Sequence, residues 1–148
     1  MKFKTIFSAL LLVFSLVFSG LVPQAAANDA ISPAPADAKA YIISPTDGAT
    51  VPETFTVQFG LSGMGIAPSG VEEENTGHHH LFVDVTNYPD FTSPLPTTDH
   101  ILHFGGGQTE TELTLTSGEH TLQLVLGNFA HIPHDAPVIS EKITVYVE

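Results

Sequence analysis

The chain has 148 residues, no cysteine, no arginine and a formal net charge of −12 with its eight histidines neutral. That acidity argues against nucleic acid and anionic membrane surfaces as partners. Without cysteine there is no thiol chemistry, no disulfide staple and no cysteine-linked lipid anchor.

Residues 1–27 read as a signal peptide. Lys2 and Lys4 supply a positive start, Ile6 to Phe18 form an apolar stretch interrupted by Ser8 and Ser15, and Ala25-Ala26-Ala27 offers a small-residue cleavage site. Pro23 and the alanines favour a processed signal over a membrane span. Cleavage before Asn28 is expected, giving a periplasmic or extracellular product that is not inserted in a membrane. Beyond that point two lysines, Lys39 and Lys142, face all sixteen carboxylates. Such a field concentrates cations near the surface, which suits a metal binder and equally any soluble exported protein. Residues 28–39, rich in proline and alanine, read as a flexible leader, and residues 40–148 as one domain.

No window of that domain carries a helical period, whereas alternation with period two recurs. In chain order the expected strands are Tyr41 to Ser44; the run with Phe55, Val57, Phe59 and Leu61 on one face; His79 to Val85; His100 to Phe104; the run with Leu113 and Leu115; the run with Leu122, Leu124 and Leu126; and the run with Ile143, Val145 and Val147. Turn residues separate them at Pro45-Thr46-Asp47-Gly48, Gly105-Gly106-Gly107, Ser117-Gly118, Pro133 and Pro137. About seven short, regularly spaced strands predict an all-β fold, an antiparallel immunoglobulin-like β-sandwich. With neither a cysteine pair nor a tryptophan, the antibody type proper is not supported.

The triplet His78-His79-His80 then becomes the informative feature. In a sandwich of consecutive antiparallel strands, loops of like parity share an end. The connection delivering His78 to His80, the one after His103 and the one carrying His131 and His134 have like parity, whereas His100 and His120 face the other end. A strand hidden between Asn87 and Asp99 would divide the set. Along the third strand His79, Leu81 and Val83 share one face, and His78, His80 and Phe82 the other. His78 and His80 can therefore converge on one ion, with His103, His131 or His134 completing a site for copper or zinc. Met64, the one methionine beyond Met1, adds a thioether in the same loop set and tilts the preference to copper, Cu(I) above all; the competing role is a plug at the end of the core. Asp135 is a candidate acceptor behind a ligand ring. His120 is expected to be a satisfied buried histidine, and Gly105 to Gly107 a hairpin turn, since neither a helix nor a lysine follows to cradle phosphate.

The stretches Phe59-Gly60-Leu61-Ser62-Gly63-Met64-Gly65, Gly77-His78-His79-His80-Leu81, His103-Phe104-Gly105-Gly106-Gly107-Gln108-Thr109-Glu110 and Gly118-Glu119-His120-Thr121-Leu122-Gln123-Leu124, with His131 and Pro133-His134-Asp135, resemble the bacterial domain-of-unknown-function family 4399 over about residues 55 to 147. The resemblance implies an exported bacterial domain and places Met64, His78 to His80, His103, His131 and His134 in the family's pattern. It implies no activity. The expected function is an exported protein that binds a transition-metal ion, copper in preference to zinc, in periplasmic metal handling. Two alternatives stand beside it: a non-catalytic adhesion or protein-binding sandwich with a solvated surface histidine patch, and a metal-dependent hydrolase or oxidase of unknown substrate. A serine or cysteine nucleophile has no elbow or thiol to build on, and a cupin would need a second motif that Thr116-Ser117-Gly118-Glu119-His120 lacks.

Overall fold

The computed structural model describes residues 30–148, so the expected signal peptide lies outside the described residues. Nine strands follow in order: β1 (Lys39–Ser44), β2 (Ala49–Val51), β3 (Thr54–Ser62), β4 (Gly65–Ile66), β5 (Thr76–Val83), β6 (Ile101–His103), β7 (Glu110–Thr114), β8 (Gly118–Gly127) and β9 (Ile143–Val147). The seven expected strands are all present. The two additional ones, β2 and β4, are three and two residues long, too short to show a period, and both pair in parallel, β2 with β9 and β4 with β5. Residues 84–100 contain no strand, so the extra strand that would have split the histidines is not there.

The strands form two sheets, β1-β3-β7 and a six-stranded one ordered β2-β9-β8-β5-β4 with β6 also on β5. This is the expected immunoglobulin-like sandwich. Phe55, Val57 and Phe59 of β3 point between the sheets, where they meet Leu81 and Val83 of β5, Leu122, Leu124 and Leu126 of β8, and Val145 and Val147 of β9. Burial of such side chains contributes roughly 1.5–3 kcal/mol each.

The opposite face of the large sheet is covered as well. The long connection after β5 folds back so that Val85, Leu95 and Phe91 pack on Phe82, Ile101 and Val125, forming a second, smaller apolar cluster. Strand β5 from Gly77 and strand β8 from Leu122 are therefore buried on both faces, with Phe82 and Val125 turned to the second cluster. A side chain on the outer face of β5 lies inside the protein.

Asp84 closes β5. It sits at φ 56°; its amide donates to Thr121 O at 3.0 Å, its Oδ1 accepts from the Thr121 amide at 2.8 Å, and its Oδ2 meets His120 Nδ1 at 2.7 Å. The other ring nitrogen of His120 lies 2.9 Å from Thr116 O. His120 is thus satisfied as expected, though half-buried rather than buried. His100 is exposed, with Nδ1 at 3.0 Å from Val83 O.

The leader departs from its expectation as a flexible spacer. Asn128 Nδ2 donates to Ala30 O and Ser32 Oγ, the Asp135 amide donates to Ser32 O, Asp135 Oδ1 accepts from the Ala34 amide, and Ala34 and Ala38 rest against the core. Proline and alanine composition signals flexibility only when nothing captures the backbone, and here the buried amide of Asn128 and the exposed carboxylate of Asp135 do so.

The hydrogen bond to Asp84 raises the His120 pKa above 6.5, against the opposing effect of partial burial. A raised folded value stabilises below the unfolded value and ceases to do so as pH rises through the folded one. Asp84→Asn keeps an acceptor for Thr121 and removes the charge beside His120. Urea unfolding should show the wild type's advantage over this variant at about pH 6 and a smaller advantage on the alkaline side; an advantage that grows with pH contradicts the assignment.

Candidate metal centre

The centre is built on β5. In the antiparallel ladders His78 stands opposite Gly127, while His80 stands opposite Val125 on one side and His103 on the other. His78 and His80 share the face away from the inter-sheet core, and His103 is brought alongside by strand pairing. His131 comes from the turn after β8, held at φ 65°. Two glycines leave the space these rings need. A Cβ on Gly127 would lie 2.7 Å from His80 Cε1, and one on Gly105 would lie 2.4 Å from His103 Cε1 and 2.6 Å from its Nε2.

The four rings form one packed group. Centroids of His78 lie 5.0 Å from His80, 5.0 Å from His103 and 5.1 Å from His131, with His80–His103 at 5.1 Å, His103–His131 at 4.6 Å and His80–His131 at 6.2 Å. Each offers one nitrogen, and the four nitrogens lie within 4.8 Å of one another. The Nε2 atoms of His78 and His103 are 3.2 Å apart. Metal–nitrogen bonds of about 2.0–2.1 Å in tetrahedral array put neighbouring nitrogens about 3.3–3.4 Å apart. The spacing suits an ion.

Burial divides the quartet. His78 and His80 are 0% and 1% exposed, whereas His103 and His131 are half-buried and give the group its solvent side. Desolvation, reinforced by the neighbouring rings, lowers His78 to about 4 and His80 to about 3; burial and then His103 lower His131. Near neutral pH these three rings are uncharged and keep the lone pairs a metal requires. Their Nδ1 atoms are buried without a hydrogen-bond partner, an arrangement that costs about 1–3 kcal/mol per group.

The histidines are thus not the solvated surface patch of the adhesion alternative. Of the six residues expected at the site, four come together, on the outer face of the large sheet. His134 does not join them. Past an isolated bridge between Pro133 and Gly127, the chain carries it to a position 2% exposed, where neither ring nitrogen finds a partner; the Thr76 and Leu126 backbones approach without closing a hydrogen bond, and burial lowers its pKa. Met64 packs against the inter-sheet core, the plug rather than the ligand. Asp135 holds the leader instead of a ring: its Oδ1 accepts from the amides of Ala34 and Ala136. His79 points to the inter-sheet side, its ring 5.3 Å from that of Phe59, and burial alone lowers it to about 4. Sequence reasoning missed Gly105 and Gly127. Their signal is an absent side chain, visible once the His80 and His103 rings are placed beside them.

Residues 57–148 match the family described as domain of unknown function, DUF4399. The chain belongs to this family. Among curated proteins nothing matches. Among solved structures, the fibronectin(III)-like modules of Clostridium thermocellum CbhA are similar at 12% identity, over 73% of this chain and 92% of that chain, with a TM-score of 0.33. A likeness this distant has no bearing on the chemistry of the quartet, which in this DUF4399 protein rests on its own geometry.

A lowered folded pKa stabilises above the unfolded value of 6.5 and ceases to do so as pH falls toward the folded one. Metal-free protein should therefore lose stability progressively from pH 6.5 toward about 4, as the unfolded chain takes up protons that His78, His79 and His80 refuse. Urea midpoints across this range measure it. A double variant, His78→Gln with His80→Gln, should show a flatter profile; equal slopes count against the burial argument.

Proposed function

We propose that this protein is exported and binds one transition-metal ion, copper or zinc, through His78, His80, His103 and His131, in metal handling outside the cytoplasm. The observation that carries this reading is the convergence of four imidazole nitrogens within 4.8 Å on a buried face, with no other chemistry to account for it. Neutral imidazoles suit copper(II) and zinc. With Met64 on the core side, the argument for Cu(I) loses its thioether, and the preference for copper rests on the general order in which nitrogen sites bind copper(II) above zinc.

Handling is favoured over catalysis by ligand number. Catalytic zinc sites keep one position open for water, while closed four-ligand sites hold their ion. An ion coordinated tetrahedrally by all four rings has no vacant position, so the hydrolase or oxidase alternative would need one ring to leave.

Calorimetry of protein purified without nickel resin should show one copper(II) or zinc per chain with a Kd tighter than about 10 μM at pH 7. His78→Ala together with His80→Ala should abolish it, and retained binding would sink the ligand assignment. Because His78 and His80 resist protonation to about 4 and about 3, affinity should hold further into acid than at a site of exposed histidines, which fails near 6.5. Gly105→Ala should weaken binding about tenfold or more by displacing the His103 ring, a loss read in the same titration.

A further inference from the structure

Metal-bound histidines are ordinarily aimed by an acceptor behind the ring. In His78, whose Nε2 faces His103, that device is missing, since Nδ1 has no partner; the buried Nδ1 atoms of His80 and His131 have none either. His78, His80 and His103 can dispense with it, because the β5–β6 and β5–β8 ladders fix their backbones. His131 has no ladder. It occupies a turn in the left-handed region, which disfavours residues other than glycine by about 1 kcal/mol or more.

Around it the backbone is clamped, mostly by a single residue. The His131 amide donates to Asn128 O at 2.9 Å, and the Asn128 amide donates to Ile132 O at 2.9 Å. The side-chain Oδ1 of Asn128 accepts from the Ala130 amide at 2.9 Å and the Ile132 amide at 3.1 Å, on either side of His131. The exceptions are the Leu95 amide, which donates to His131 O at 2.9 Å, and the Gly70 amide, which donates to Phe129 O at 2.9 Å. Asn128 is 1% exposed, and its Nδ2 donates to Ala30 O at 2.7 Å and Ser32 Oγ at 3.0 Å. All four hydrogen-bonding positions of the amide are used, two on the turn and two on the leader.

We propose that Asn128 is the positioning residue of the metal centre: its buried amide locks His131 in the left-handed conformation that turns the ring toward His78 and His103, and ties that turn to the leader. This rests on the metal-binding reading for its purpose, but the positioning is a property of the metal-free protein and is testable there.

Two measurements without metal come first. In the wild type the amides of Ala130 and Ile132 should be protected from hydrogen exchange, and proton NMR should show cross-relaxation between the His103 and His131 rings, whose centroids are 4.6 Å apart. In Asn128→Ala, with its fold checked by circular dichroism, both signals should vanish while those between His78 and His80 persist. Unprotected amides in the wild type, or an intact His103–His131 contact in the variant, overturns the proposal; the wild-type exchange decides even if the variant fails to fold.

Copper(II) then serves as the probe. The variant should bind about tenfold more weakly or worse, and its electron paramagnetic resonance should match that of His131→Ala, with one imidazole fewer than the wild type. The two substitutions together should cost little more than either alone, since each removes the same ligand. Full additivity, or a wild-type spectrum in Asn128→Ala, contradicts positioning through His131. A wild type that shows the NMR contacts and binds no copper(II) or zinc overturns the proposed function and leaves the clamp intact.

Discussion

Everything at the centre depends on the pairing of β5 with β8 inside a sheet covered on both faces. That ladder sets Leu81 opposite Leu124 and His80 opposite Val125, so one strand feeds the inter-sheet core with alternate residues and the histidine quartet with the others. A shift of one residue would send His78 and His80 into the core and Leu81 and Val83 to the outer face. The leucines of β8, fully buried between the sheets, make such a shift costly. The apolar core thereby fixes the histidine geometry, although no core residue belongs to the quartet.

Burial of the His78 and His80 imidazoles runs against the ordinary economy of folding. Polar groups removed from water without partners destabilise, and the outer face of β5 gathers several. Two circumstances keep the arrangement tolerable. His78 and His80 are neutral, since burial and mutual repulsion hold them far below 6.5, and a neutral imidazole is much less costly to bury than a charged one. The neighbouring apolar cluster of Phe82, Val85, Leu95, Ile101 and Val125 also seals the same face, so the histidines occupy one end of a surface that is otherwise well packed.

Much of this was legible in the chain, and the limits have physical reasons. Alternation located seven strands and the faces of β5, because period two directly reports which residues share a side. Parity of the loops gathered His78, His80, His103 and His131, but for a partly mistaken reason. His103 reaches the group through its ladder position opposite His80, and pairing register is a relation between distant segments that no local pattern displays. His134 and Met64 group with the quartet in the sequence because loop membership fixes a neighbourhood of about a strand length, not the side to which a ring turns; the bridge at Pro133 and the core beside Met64 decide that. Asn128 gave no signal at all. A single asparagine after a strand reads as turn chemistry, and its reach to Ala30 and Ser32 crosses nearly the whole domain.

The charge pattern gains meaning once the basic groups are placed. Lys142, in the described chain, donates to Val85 O and lies 5.1 Å over the Tyr88 ring, and Lys39 begins β1 in the opposite sheet. With no arginine in the sequence, no fixed cation of the described residues belongs to the quartet or neutralises its surroundings. Under the proposed function an arriving metal ion would meet rings already converged, so the organisation of the ligands would be met by folding and little of it by binding. Ligands divided between a rigid ladder and a clamped turn also divide the consequences of damage: loss of a ladder ring removes the floor of the site, whereas release of the turn leaves three nitrogens in place and opens one side to water.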